Sequence, residues 1–370
     1  MPRILLSTQR FSCPARRFLS TQHSSNAPKV VFSGIQPTGV PHLGNYLGAL
    51  RQWADLQSSA SPSDKLIFSI VDLHAITQRQ APEALRLHRR EMLAAILAVG
   101  IDPNRSIVFE QSRVPQHAEL MWILSCGAST GYLSRMTQWK SKLGVGEDAD
   151  AFASGNNTPR LKLGLFSYPV LQAADILVHR ATEVPVGEDQ AQHLEFTREV
   201  AGTFHSSYGT VFPLPKTVLS PARRVMSLRD PLQKMSKSDP QPPSRILLID
   251  TPEEISKKFQ KAVTDSEEGV TYDPRARPGV SNLVQIYAHM QRRTDFHNVA
   301  NELKDCTMKE LKDKVAGIVI EGLRPIRDEY ERISKEGDRY LEIVAEEGAR
   351  KARESAEETM VLVRHAMGLA

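Results

Sequence analysis

Lys234 and Lys237 stand three residues apart in the string Lys234-Met235-Ser236-Lys237-Ser238, between Pro231 and Pro240. Two ammonium groups so spaced can reach one triphosphate, and the small serines let the backbone close over it. A bare pair of loop lysines is ordinary surface charge; a five-residue string of this composition is more than a pair. A second constellation, Gly34-Ile35-Gln36-Pro37-Thr38-Gly39 followed by His42-Leu43-Gly44-Asn45, falls where an apolar run gives way to a helical pattern. Glycine there lets the backbone lie against a flat base or a phosphate, and the free N–H groups of a helix start favour an anion. The glycines alone make a turn, but their place after a first strand, with His-x-Gly and Asn, favours a nucleotide.

Other residues are candidates by environment. Asp175 lies among Leu171, Ala173, Ala174, Ile176 and Leu177, where an unpaired carboxylate is costly, so it needs a partner. In a purely structural role that partner is an arginine or a backbone amide. Gly187-Glu188-Asp189-Gln190 follows an apolar run and opens a helix, whereas Gly146-Glu147-Asp148 repeats three of its letters in a small-residue stretch with no strand before it. Lys140 and Lys142 follow Met136-Thr137-Gln138-Trp139 and read either as surface charge or as phosphate contacts.

The elements that position these residues alternate. Val30 to Ser33, Leu66 to Val71, Ile107 to Phe109 and Val184 to Val186 have strand length. Gly44 to Leu56, Pro82 to Val99 and Gln190 to Phe204 have helical spacing. Alternation of this kind predicts an α/β fold with a doubly wound parallel sheet and ligands at the strands' C-terminal ends. Gly144 to Pro159 and Pro213 to Pro243 read as mobile loops. After Asp250 the chain turns helical and charged, with Thr251-Pro252-Glu253-Glu254 as a helix start and a long run from Leu323 to Met367.

Length and composition set bounds. At 370 residues the chain is long enough for a substantial core and a second unit. No stretch approaches the roughly 18 uninterrupted apolar residues of a membrane span. The net charge of +4 is too small to name a partner. Cys13, Cys126 and Cys306 are scattered, which predicts reduced thiols and no metal held by the protein. Residues 1 to 28 hold Arg3, Arg10, Arg16 and Arg17, many Ser and Thr, and no acid; the first carboxylate is Asp55. That is the composition of an organelle transit peptide, with a disordered basic tail as the plainer reading.

The two strings around His42 and Lys234 resemble the His-Ile-Gly-His and Lys-Met-Ser-Lys-Ser signatures of class I aminoacyl-tRNA synthetases. Asparagine at Asn45 replaces the second histidine, a departure shared with the tryptophanyl branch. Phe32 to Gly39, Ala173 to Leu177, Val184 to Gln190, Met226 to Leu228 and Lys234 to Pro240 resemble that branch in its bacterial and mitochondrial form, in the expected order from about Val30 to Leu369. The resemblance implies a Rossmann-like catalytic domain over 29–220, a Lys-Met-Ser-Lys-Ser loop over 221–245 and a helical anticodon-binding domain over 246–370, behind a mitochondrial presequence over 1–28. It implies ATP, with Mg2+, at Gln36, Pro37, Thr38, Gly44, Asn45, Gly187, Glu188, Asp189, Val225 and Lys234 to Ser238, with His42, Asn45, Lys234 and Lys237 catalytic. Tryptophan falls to Tyr168, Gln172, Asp175 and Gln190, with Asp175 accepting the indole N–H; Gln172 departs from the methionine of some bacterial members. Lys140 and Lys142 resemble further phosphate-binding lysines. The implied partners are L-tryptophan, ATP, tRNA(Trp) and a second copy of the chain, in the mitochondrial matrix and with no membrane. The sister tyrosyl enzymes share both signatures, and Asp175 within Ala-Ala-Asp-Ile-Leu argues against them. A small nucleotidyltransferase would lack the helical extension, and a vestigial RNA-binding module would have lost Gly44 or the lysines.

Overall fold

In the computed structural model the described residues are 28–146, 161–187, 190–219, 224–237 and 239–370. The expected presequence, apart from Pro28, lies outside them, as do Gly146-Glu147-Asp148 beyond its glycine, Glu188, Asp189 and Ser238.

The chain enters through β1 (Val30–Ile35), then α1 (Leu43–Asn45), which continues through a π-helical stretch (Tyr46–Leu50) into α2 (Arg51–Ser59). Next come β2 (Lys65–Ile70), α3 (Asp72–Ala75), α4 (Pro82–Ala98), β3 (Ile107–Glu110) and a 3-10 turn (Gln111–Arg113). Then follow α5 (Gln116–Ser125), α6 (Thr130–Arg135), α7 (Thr137–Leu143), α8 (Leu163–Leu177), β4 (Glu183–Val186), α9 (Ala191–Tyr208) and β5 (Lys216–Leu219). The remainder is helical: α10 (Pro252–Gln260), α11 (Pro278–Met290), α12 (Phe296–Glu302), α13 (Met308–Glu336) and α14 (Asp338–Met367).

The strands form one parallel sheet in the order β3-β2-β1-β4-β5. Leu66, Ile67, Phe68 and Ile70 of β2 are all buried, the continuous apolar run expected of a strand covered on both faces. The order reverses between β1 and β4, and there the ladder registers only the pair Val31–Glu183. Pro185 lies just beyond, where its carbonyl accepts from the Ser33 hydroxyl at 3.2 Å. A residue's N–H and C=O point the same way in a strand, so Pro185 stands where a donor to β1 would be and supplies none. The strands part, which opens a crevice at the switch point.

The stretch Pro213 to Pro243, expected to be a mobile loop, contains the edge strand β5 paired along β4, and Val225, Leu228 and Met235 are buried. Four residues are too few to show alternation, and proline beside an edge strand costs no ladder bond. The run Leu323 to Met367 is the end of α13 and all of α14, broken at Gly337. Capping boxes start α10 (Thr251 with Glu254) and α13 (Thr307 with Glu310). α14 lies on the sheet beside β3 so closely that a Cβ on Gly348 would stand 1.7 Å from the Val108 carbonyl oxygen. One apolar cluster joins Val31 and Phe68 to Leu283 and Val315; another joins Phe109 and Phe196 to Ala356 and Met360.

Candidate active site

The crevice between β1 and β4 holds a cavity of about 270 Å³. Its walls are the strand ends (Phe32 to Gly34 with Gln36, and Val184 to Gly187), the π-helical stretch and α2 (Gly48, Ala49, Gln52, Trp53), and α8 with its neighbours (Gln138, Lys142, Tyr168, Gln172, Asp175, Gln190). Apolar walls interleaved with polar side chains that converge on one crevice mark a small-molecule site. Of the expected residues, Gln36, Gly187, Tyr168, Gln172, Asp175, Gln190 and Lys142 meet here. Lys140 does not; it is buried with its ammonium 5.5 Å from the Trp139 ring. A second cavity, of about 330 Å³, lies under the start of α14. Among its charged walls Arg90 pairs with Asp338, and Glu342 and Glu110 both pair with Arg113.

Asp175 is 1 % exposed. Its partners are neither an arginine nor a backbone amide. Oδ1 accepts from Gln111 Nε2 at 2.6 Å and His117 Nδ1 at 2.7 Å, and Oδ2 from His74 Nε2 at 2.8 Å. Burial pushes the Asp175 carboxyl up, but the bonds from His117 and His74 outweigh it and hold the group below the usual carboxylate range. A carboxylate only accepts, so both imidazoles donate. Gln111 is itself fixed, its oxygen accepting the Leu73 N–H at 3.1 Å. Beside them the Tyr168 hydroxyl is 2.7 Å from Gln138 Oε1 and 2.8 Å from His193 Nε2. Burial raises its pKa well above the phenolic norm, so it stays protonated. The Lys142 ammonium sits 5.2 Å from the Tyr168 ring centroid, and burial lowers its pKa.

The string after Gln36 leads from this cavity to the lysine loop. Thr38 N–H donates to the Gln36 carbonyl at 3.0 Å in the connecting turn past Pro37. His42 caps α1 reciprocally with Asn45: Asn45 N–H donates to His42 Nδ1 at 3.3 Å and His42 N–H to Asn45 Oδ1 at 3.1 Å. Leu43 N–H donates to Ile246 O at 2.7 Å and Leu248 N–H to Pro41 O at 3.0 Å, which draws the end of the lysine loop alongside. Inside the loop Met235 N–H donates to Val225 O at 2.9 Å, and Met226 bridges Lys234. Lys237 Nζ donates to Val40 O at 3.4 Å. It fills the space beside Gly39, whose φ of +90° and missing Cβ permit the approach: a Cβ would lie 1.9 Å from Nζ. The His42 pKa is lowered to about 4 by burial and then by Lys234, Arg245 and Lys237. The imidazole is therefore neutral at pH 7, in a positive field suited to a polyanion. Met235 is buried beneath the loop, Ser236 half-buried, and Val225 packs beside Gly44.

The model of the class I tRNA synthetases for tryptophan and tyrosine matches residues 24–324. The mitochondrial tryptophan–tRNA ligase of Saccharomyces cerevisiae is 48 % identical over 349 residues, 93 % of this chain and 91 % of that protein. The chain belongs to the tryptophanyl-tRNA synthetases. Among solved structures, the tryptophanyl-tRNA synthetase of Mycoplasma pneumoniae superposes with TM-score 0.79 at 31 % identity, over 93 % of this chain and 99 % of that one. The Campylobacter jejuni synthetase, crystallised with ADP and tryptophan, gives 0.72 at 30 % identity, over 92 % and 100 %. A tyrosyl enzyme from Aeropyrum pernix, at 19 % identity and TM-score 0.64, shares the fold.

His74, Gln111, His117, Gln138 and Arg245 are the site residues of this synthetase that sequence reasoning missed. Gln111 directly follows β3 and His74 lies in α3 just past β2, so a residue-by-residue reading of the strand ends would have found both. His117 and Arg245 carry no local signal.

Proposed function

We propose that this synthetase activates L-tryptophan with ATP and transfers it to tRNA(Trp) in the mitochondrial matrix. The observation that carries the reading is a buried, ionised Asp175 with an acceptor position left over at the wall of the cavity between β1 and β4. Indole N–H is the one polar group on a tryptophan side chain, and a buried ionised acceptor discriminates strongly for it. Tyr168, Gln172 and Gln190 complete that pocket. In the first step the tryptophan carboxylate attacks the α-phosphate of ATP, giving tryptophanyl-adenylate and pyrophosphate. Lys234 and Lys237 stabilise charge on the leaving pyrophosphate, aided by Arg245. His42, Asn45 and the Gly44 backbone lie against the phosphates, with Gln36, Pro37 and Thr38 between the two substrates. Val225, Met235, Ser236 and Ser238 close over the nucleotide. Gly187, Glu188 and Asp189 take the ribose and the amino group, Lys142 reaches toward phosphate, and Lys140 supports the helix that carries it. In the second step the 2'-hydroxyl of the terminal adenosine attacks the acyl carbon of the adenylate, the hydroxyl gives up its proton, and AMP leaves.

Among the described residues no group of three or more His, Cys, Asp or Glu is placed to hold a metal, and the phosphate side is cationic. The described residues offer no protein cage for a bare Mg2+; the ion would be held by the triphosphate and would neutralise charge on its oxygens. The helical domain from 246 contacts the anticodon end of the tRNA, and the enzyme is a homodimer. Trp122, 72 % exposed on α5, is a candidate interface residue. Residues 1–28 direct import. The test is charging of tRNA(Trp) by a chain starting at Pro28, with a reporter fused to residues 1–28. Full charging together with import of the reporter supports the reading; charging of another tRNA, or a truncated chain that still imports, contradicts it.

A further inference from the structure

The hydrogen bonding continues behind Asp175. His117 Nε2 lies 3.3 Å from His179 Nε2, His179 Nδ1 lies 3.3 Å from Ser355 Oγ, and Ser355 Oγ lies 3.5 Å from Lys65 Nζ. The two rings and the hydroxyl are 0 %, 3 % and 6 % exposed. Phe32 and Phe109 flank His179 with ring centroids at 5.8 and 5.6 Å, which shields it from water. A buried imidazole is tolerated when both nitrogens are paired, and both rings meet that condition. Burial above all holds the His179 pKa well below its ordinary value, so this ring carries one proton.

The Asp175 end of the chain is fixed: the carboxylate accepts, so His117 Nδ1 donates. One arrangement that satisfies every atom beyond it has His117 Nε2 accepting from His179 Nε2–H and His179 Nδ1 accepting from the Ser355 hydroxyl. The Ser355 oxygen in turn faces the Lys65 ammonium. Every donor then points toward the carboxylate, an arrangement in which each bond polarises the next. The two donors from Gln111 and His117 fill Oδ1, whereas Oδ2 carries only His74, so the open acceptor position is on Oδ2. Ser355 belongs to α14, whose seat on β3 is fixed by the contact at Gly348.

We propose that His117, His179 and Ser355 are positioning residues for amino-acid selection, a continuous hydrogen-bonded chain that pins Asp175 with Oδ2 toward the pocket and ties that orientation to the seating of α14. This rests on Asp175 as the acceptor of the indole N–H. The outer links are long, so the contribution of each member falls with its distance from Asp175.

The test compares L-tryptophan with 3-benzothienyl-L-alanine, in which sulfur replaces the indole N–H and ring shape is kept. Pyrophosphate exchange is measured for the full chain, His179→Phe, His179→Gln and Ser355→Ala. The wild type prefers tryptophan. His179→Phe is expected to cut that preference about tenfold, the worth of one hydrogen bond. Ser355→Ala should cut it about two- to threefold, in keeping with its longer link. His179→Gln, whose amide can still donate toward His117, recovers part of it, and the KM for ATP stays put throughout. Equal slowing of both amino acids, or a preference unchanged in every variant, overturns the proposal. Should His179→Phe not fold, Ser355→Ala decides alone. A wild type with no tryptophan-dependent exchange would instead overturn the functional reading on which the proposal stands.

Discussion

The substitution Asp175→Asn should impair tryptophan recognition while sparing ATP. Gln111 and His117 both donate to Oδ1, so the amide oxygen of the introduced side chain takes that position and its NH2 falls at Oδ2. The NH2 then faces His74 Nε2, formerly 2.8 Å from a carboxylate oxygen, and presents a donor to the indole N–H. Exchange of tautomer lets His74 accept, which limits the stability loss to about 1–3 kcal/mol. The ligand has no such escape. Loss of a charged acceptor, with a donor in its place, costs about 3 kcal/mol, or roughly 150-fold in kcat/KM for tryptophan. Asp175→Ala is the poorer probe, because it strands three buried donors at about 1–3 kcal/mol each, comparable to the whole stability of a domain. The assay is pyrophosphate exchange at varied tryptophan and varied ATP, alongside a thermal melt. Equal changes in both substrates, or an unchanged kcat/KM for tryptophan in a folded variant, would refute the assignment.

Lys234→Ala and Lys237→Ala should each slow adenylate formation by about 2–4 kcal/mol in single-turnover kinetics; a change confined to the ATP dissociation constant would contradict their role at the leaving group. His42 and His289, each lowered to about 4 chiefly by burial, and His179, lowered by burial as well, stay neutral in the folded chain while the unfolded chain binds protons below about pH 6.5. Stability is therefore full above that pH and falls toward pH 4, by about 4 kcal/mol per pH unit if all three sites act fully. Urea titrations at pH 7 and pH 5 measure the slope, and His42→Gln should remove about a third of it; a slope unaffected by that change would contradict the burial argument. Gly348→Ala drives a methyl into the Val108 carbonyl and should cost about 3 kcal/mol in a urea melt. An unchanged midpoint would show that α14 can shift freely.

Much of the frame was legible because it is local. β2 is an unbroken apolar run, Pro82 marks the start of α4, and the two signature strings fall at turns that their own glycines and prolines make. The partners of Asp175 were not legible. His74, Gln111 and His117 come from separate places in the chain and converge only once β2 and β3 lie side by side. Asp175 showed that it needed a partner without showing which, since burial of a charge is a local property and its compensation is not. Arg245 likewise reaches the phosphate side only through the pairing of Ile246 and Leu248 with Leu43 and Pro41. β5 was hidden by its shortness among prolines.

The central claim is that the cavity between β1 and β4 selects tryptophan for adenylation. Pyrophosphate exchange with ATP, run separately with each of the standard amino acids, tests it most directly. The expected result is exchange with tryptophan alone, with tyrosine and phenylalanine at background. Exchange driven by tyrosine, or by no amino acid in a folded chain, would contradict the account.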